Sequence, residues 1–139
     1  MKAKDIKVGH VYFVNFDPVE PGEFDRNHLA LVLKKNSNRI TFVVIPLTHK
    51  DKGLGINKIE LDIKGLLPPH LRSGSTFAVY DQIRTVNASR FELLYEGPDV
   101  YDVSVPQRVV TEVIEKVILN LLEDLDESLK SSILDGIKN

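Results

Sequence analysis

The chain has 139 residues, 42% hydrophobic and 27% charged, a length and balance that suit one soluble globular domain with its own core. The absence of cysteine excludes disulfides, thiolate nucleophiles and cysteine-held zinc, and fits a reducing compartment. The opening "MKAKDIKVGH" has no apolar h-region, and apolar runs of about five residues fall far short of the roughly 20 that span a bilayer, so a cytoplasmic protein with no membrane partner is expected.

The net charge of −2 conceals an asymmetry. Residues 1–90 hold 14 Lys and Arg against 9 Asp and Glu, whereas residues 91–139 hold 4 against 11. The first two-thirds can therefore present a basic face to a polyanion, and the last third cannot. Unevenly spread surface charge is the plainer alternative.

Taken in order, residues 10–17, "HVYFVNFD", are rich in β-branched and aromatic types and stop at the turn signal "DP". Two prolines and a glycine make 18–27 a loop. "LALVLKK" (29–35) is apolar on both faces, and the turn "NSN" (36–38) joins it to "RITFVVIPL" (39–47) as a hairpin. A polar loop over 48–55 precedes "INKIELDI" (56–63), which alternates as a half-buried strand. After the Pro-Pro stretch 64–75 come two further strands, "TFAVYDQIRTV" (76–86) and "RFELLYEG" (90–97). Six short strands with turn signals about ten residues apart predict a small barrel or sandwich over 1–97.

From residue 104 the pattern turns helical. "SVPQ" offers Ser104 as N-cap, and Val109, Val110, Val113, Ile114, Val117, Leu121 and Leu122 follow helical spacing. Leu125, Leu129, Ile133 and Ile137 continue the stripe, with "DLDES" (124–128) either opening a second helix or lying inside one long one. The whole is read as a single domain, 1–139: a mainly β fold with a C-terminal helical segment over 104–139.

Glycine-rich nucleotide loops, HExxH, GxSxG and EF-hand patterns are absent, and His10, His28, His49 and His70 stand at no metal-ligand spacing. Neither a metal nor a cofactor is expected. What remains is polar residues at strand ends. His28 opens one hairpin strand, and Thr48 and His49 close the other. Residues 29 and 47 lie about nine positions either side of the turn centre, which makes them neighbours across the pair. His28, Thr48 and His49 would then share one patch, with Arg26 close by. Such a set suits RNA cleavage, which needs a base for the ribose 2′-hydroxyl, an acid for the leaving 5′-oxygen and donors to the phosphorane oxygens. Histidine does either proton job near neutral pH, and arginine and threonine donate. Ordinary solvated strand ends are the alternative. In 80–90, Gln82 and Arg84 would face one side of a strand, either as its wet face or along a groove for a phosphate backbone.

These pieces, in this order, resemble the MazF/PemK family of toxin endoribonucleases. "KVGHVYFVNFDP" (7–18) is similar to the family's opening strand and turn, "HLALVL" (28–33) to its "RPAVVL" strand, "VIPLT" (44–48) to the strand ending in proline, one residue and threonine, and "DQIRTVNASRF" (81–91) to its "EQIRTID..RL" segment. The resemblance covers roughly 7–95 and a following helix. It implies an SH3-like small barrel of the MazF/PemK/CcdB type, a homodimer, and sequence-selective cleavage of single-stranded RNA without a metal, leaving a 2′,3′-cyclic phosphate. It also implies inhibition by a cognate antitoxin protein. Carried over, Thr48 matches the catalytic threonine. Gln82 and Arg84 match the segment beside the RNA groove, and the loops at 18–27 and 49–57 match those flanking the substrate. His28 stands where the family has its catalytic arginine, followed by leucine in place of proline. Three outcomes follow: His28 takes the acid or base role, Arg26 reaches in, or catalysis is lost and the barrel is a non-catalytic module binding RNA or a partner protein. The acidic tail 124–139 is either a packed helix or a built-in regulator of the same groove.

Overall fold

The segment "LALVL" is apolar on both faces because both faces of its strand are covered. The computed structural model describes residues 1–17, 27–49, 57–123 and 125–138. Among the described residues the strands are β1 (His10–Asn15), β2 (Asn27–Lys35), β3 (Thr41–Thr48), β4 (Lys58–Leu61), β5 (Thr76–Val79), β6 (Arg84–Asn87), β7 (Phe91–Glu92), β8 (Leu94–Glu96), β9 (Asp99–Tyr101) and β10 (Val103–Ser104). Helices α1 (Gln107–Leu121) and α2 (Glu127–Lys138) follow.

The main sheet runs β10-β1-β2-β3-β5-β4, with β6 added to β3 and β7 added to β1. Only the 3-10 turn Ala88–Arg90 separates β6 from β7. Residues 84–92 therefore reach from β3 back to β1 and close β1, β2 and β3 into a small barrel, as the strand count predicts. Val14, Phe16, Ala30, Val32, Phe42, Val44, Val86 and Phe91 form its buried interior. Phe42 and Tyr12 meet the Phe91 ring edge-on, at centroid distances of 5.4 and 5.8 Å. The outer side of the same strands carries Val11, Leu29, Leu31, Ile45 and Leu47, and α1 lays Val109, Val113 and Val117 over it at helical spacing.

The hairpin β2–β3 has the expected register. Ala30 lies opposite Pro46 and Leu31 opposite Ile45, which sets Leu29 against Leu47. A bulge at Leu33 takes up one residue before the turn. There Asn38 Oδ1 accepts from the backbone N–H groups of Ile40 and Thr41, and Arg39 adopts φ 64°.

Several boundaries differ from the sequence pattern. The expected strand 76–86 is two strands, because three extra residues intervene. Leu47 pairs with Ala78, but Val44 pairs with Arg84. The interruption is a turn held by Gln82 N–H on Val79 O and by Asn57, whose side chain donates to Asp81 and whose carbonyl accepts from Tyr80. The expected strand 90–97 is likewise split, with β7 on the barrel and β8 in a separate hairpin with β9. Strands β9 and β10 have no strong alternation in the sequence. Ser104 is no N-cap. It sits in β10 opposite His10, and α1 starts at Gln107 behind Pro106, without a side-chain cap. Of the stripe beyond α1, Leu125 lies in the turn and the rest, from Leu129 on, belongs to a second helix, whose start Asp126 caps by accepting from Leu129 N–H at 2.9 Å. Most of the loops expected at 18–27 and 49–57 lies outside the described residues.

Candidate active site at the barrel mouth

Side-chain alternation decides which polar groups meet. In β2, His28 shares a face with Ala30 and Val32, which line the barrel interior. It pairs with Val14 of β1, and its ring lies 6.5 Å from the Phe16 ring. In β3, Thr48 shares a face with Val44 and Phe42, which line the same interior. Continuing the Ala30↔Pro46 register by two residues sets His28 opposite Thr48. His28 and Thr48 therefore lie on one face at the same end of the hairpin, and that end is a mouth of the barrel. The mouth opens here because β3 changes partner, from β6 along 41–44 to β5 at 47–48.

Arg84 projects to this face too, since it pairs with Val44. Its Nη1 donates to Phe16 O at 3.1 Å and its guanidinium lies 5.4 Å from the Phe16 ring centroid. Sequence reasoning did not assign a role to Arg90, whose Nη1 donates to Asn15 O at 3.1 Å and to Asp17 O. Two arginines thus grip the three successive carbonyls that lead out of β1. Their signal in the sequence was a pair of cations interrupting an otherwise apolar stretch. Arg84 has an anchoring duty beside any contact with a ligand.

The other expected members of the patch do not join it. His49 is one residue past Thr48 and turns to the opposite face, where Nδ1 lies 3.3 Å from both Ser75 O and Thr76 Oγ1. Its Nε2 is buried with no hydrogen-bond partner among the described residues. Gln82 lies in the turn between β5 and β6 and not on a strand face with Arg84. Arg26 lies outside the described residues.

A second titratable cluster sits away from the mouth. His10 Nδ1 is 2.7 Å from Asp102 Oδ1, and Lys7 Nζ is 3.5 Å from Asp102 Oδ2. The hydrogen bond to His10 holds the Asp102 carboxyl below the usual range. This pair ties β1 to the segment that enters α1, together with Val105 N–H on Gly9 O and Gly9 N–H on Val32 O.

Residues 7–133 match the family described as PemK-like, MazF-like toxin of type II toxin-antitoxin system. The chain belongs to that family. A search of curated proteins finds no match. Among solved structures, MazF from Deinococcus radiodurans is 25% identical with a TM-score of 0.58, and the match covers 85% of this chain and 96% of that one. A MazE-MazF crystal structure from the same organism matches at 25% identity and TM-score 0.54, over 86% and 96% of the two chains. An endoribonuclease solved with its cognate antitoxin from Mycobacterial species shares the fold, at 15% identity and TM-score 0.53, over 84% and 94%. The small barrel with a C-terminal helix is therefore the fold of the MazF-like toxins. Among the described residues of this member of the family, no helix is long and apolar enough to cross a membrane.

Proposed function

We propose that this MazF-like chain is a cytoplasmic endoribonuclease that cuts single-stranded RNA at preferred sequences without a metal. The observation that carries the reading is the common face of His28 and Thr48 at the barrel mouth. In the reaction, the ribose 2′-oxygen attacks phosphorus as it loses its proton. The bond from phosphorus to the 5′-oxygen breaks and that oxygen takes up a proton, leaving a 2′,3′-cyclic phosphate. His28 performs one of the proton transfers, a role that an arginine with a pKa above about 12 fills only with difficulty. The Thr48 hydroxyl donates to a phosphorane oxygen. Arg26, His49, Gln82 and Arg84 are the groups assigned to RNA, with His49 acting through the strand it braces. A cognate antitoxin partner is supported by the family and by the MazE-MazF complexes solved for its neighbours, and a homodimer is part of the same proposal.

Incubation with mixed-sequence single-stranded RNA in EDTA tests the reading. Cleavage is expected, with a loss of about 10²–10⁴-fold in His28→Ala and Thr48→Ala. No cleavage, or cleavage untouched by changing both residues, overturns it. A second reading, a non-catalytic barrel that binds RNA or a partner protein, draws on the commitment of Arg84 to Phe16 O. Salt-sensitive RNA binding without product would select it.

A further inference from the structure

We propose that a cavity beside Thr48, walled by Glu60, Asp62, Lys64, Ser75 and Thr76, is a guanine-selective subsite for single-stranded RNA. The inference rests on the ribonuclease reading above and names the base held next to the site of cleavage. Three observations lead to it.

The first is position. Thr48 pairs with Phe77, and Phe77 pairs on its other side with Glu60. Residues directly opposite one another in antiparallel strands project to the same face, so Thr48, Phe77 and Glu60 form one row across β3, β5 and β4. With about 4.8 Å between strands, Glu60 stands about 10 Å from Thr48. That is the reach from a phosphate to a neighbouring, splayed-out base. Asp62, just past β4, and Ser75, just before β5, fall in the next row of the same face.

The second is shape. The cavity holds about 500 Å³, within the range of about 300–1,000 Å³ typical of small-molecule sites. Leu61 and Thr76, 3% and 1% exposed, belong to its walls, so it is backed by the core. His49 braces it from behind through Ser75 O and Thr76 Oγ1.

The third is the chemistry of the lining. Among the described residues the side chains of Glu60, Asp62 and Lys64 make no ion pair or hydrogen bond with the protein, although two carboxylates and an ammonium surround one cavity. A guanine presents one acceptor, O6, beside two donors, N1–H and the N2 amino group. A lysine beside a carboxylate matches that edge, the carboxylate taking both donors and the ammonium taking O6. Uracil places an oxygen on each side of its single N–H, and cytosine has one amino donor beside two acceptors. A carboxylate is repelled by most of either edge. Unpaired bases of single-stranded RNA are read on this edge.

The test is binding to fluorescein-labelled oligonucleotides by anisotropy, with Thr48→Ala protein so that no strand is cut. A decamer of uridines carrying one central guanosine is compared with the all-uridine, adenosine-substituted and inosine-substituted decamers, since inosine lacks the N2 amino group. The guanosine decamer is expected to bind about tenfold more tightly than the others. Asp62→Asn, Glu60→Gln or the two together should abolish that preference while leaving the circular dichroism spectrum and the affinity for the all-uridine strand in place. Equal binding of all four strands, or a preference unmoved by these changes, overturns the subsite and leaves the ribonuclease reading standing. Guanosine monophosphate competing at the oligonucleotide's own affinity also overturns it, because the cavity then serves a free nucleotide. If no strand binds, both readings fall together.

Discussion

Arg84 offers the sharpest separation of an architectural role from a role in binding. Its guanidinium donates to Phe16 O and lies over the Phe16 ring, and Phe16 is fully buried. Arg84→Ala removes a hydrogen bond from a charged donor, about 1.5–3 kcal/mol, and a cation–π contact of about 0.5–1 kcal/mol. Arg84 is partly exposed, so water replaces some of what is lost, and the net cost is about 2 kcal/mol. For 139 residues, an unfolding entropy of about 2.1 cal/mol/K per residue makes 1 kcal/mol worth about 3–4 °C. The variant should therefore melt about 7 °C below the parent at equal protein concentration. Arg84→Lys keeps the charge and one donor but loses the planar fork, and should recover about half of the difference. Thermal unfolding followed by far-ultraviolet circular dichroism reads both. A melting point for Arg84→Ala within 1 °C of the parent would refute the anchoring role and leave only a contact with ligand.

Other consequences follow from the same geometry. Phe42 is fully buried against Phe91 within the barrel, so Phe42→Ala should cost about 3–5 kcal/mol in denaturant titrations. Asp102 has a lowered carboxyl pKa, so its contribution is present above the unfolded value and is lost as pH falls through the folded one. Asp102→Asn should flatten the acid limb of the stability profile below about pH 4, by less than about 1 kcal/mol because the Asp102 side chain is largely exposed. Asp126→Ala removes the cap of α2, worth about 1 kcal/mol, and should speed amide exchange over 127–138 while sparing the barrel. Gly9 has φ +83° while bonding β2 through its N–H and the β10–α1 segment through its carbonyl, so Gly9→Ala should destabilise by about 1 kcal/mol or more.

The local pattern carried most of the fold. The hairpin register came from counting outward from "NSN", and the bulge at Leu33 changed it only near the turn. The valine stripe located α1, and the two-sided apolar character of 29–33 foretold a strand buried on both faces. The family motifs pointed to the end of the hairpin where His28 and Thr48 face one another. The sequence was weakest where local character is ambiguous. Residues 76–86 read as one strand because every residue but a few polar ones suits a strand, and the slip of three residues is visible only against β3.

The sequence by itself determined the longer extended segments, the helical region and which ends of the hairpin coincide, because these depend on side-chain period and on turn residues close in the chain. Tertiary structure alone decided that 84–92 closes the barrel, that Arg84 and Arg90 hold the carbonyls of residues 15–17, and that His49 turns away from Thr48. Each of those depends on which distant strand lies alongside. A strand's own alternation fixes which residues share a face, but only its neighbours decide what that face meets. For this reason "HLALVL" (28–33) could be read as a buried strand opened by a histidine. Only the closed barrel made its histidine part of a mouth, opposite a threonine from a strand 20 residues further along the chain.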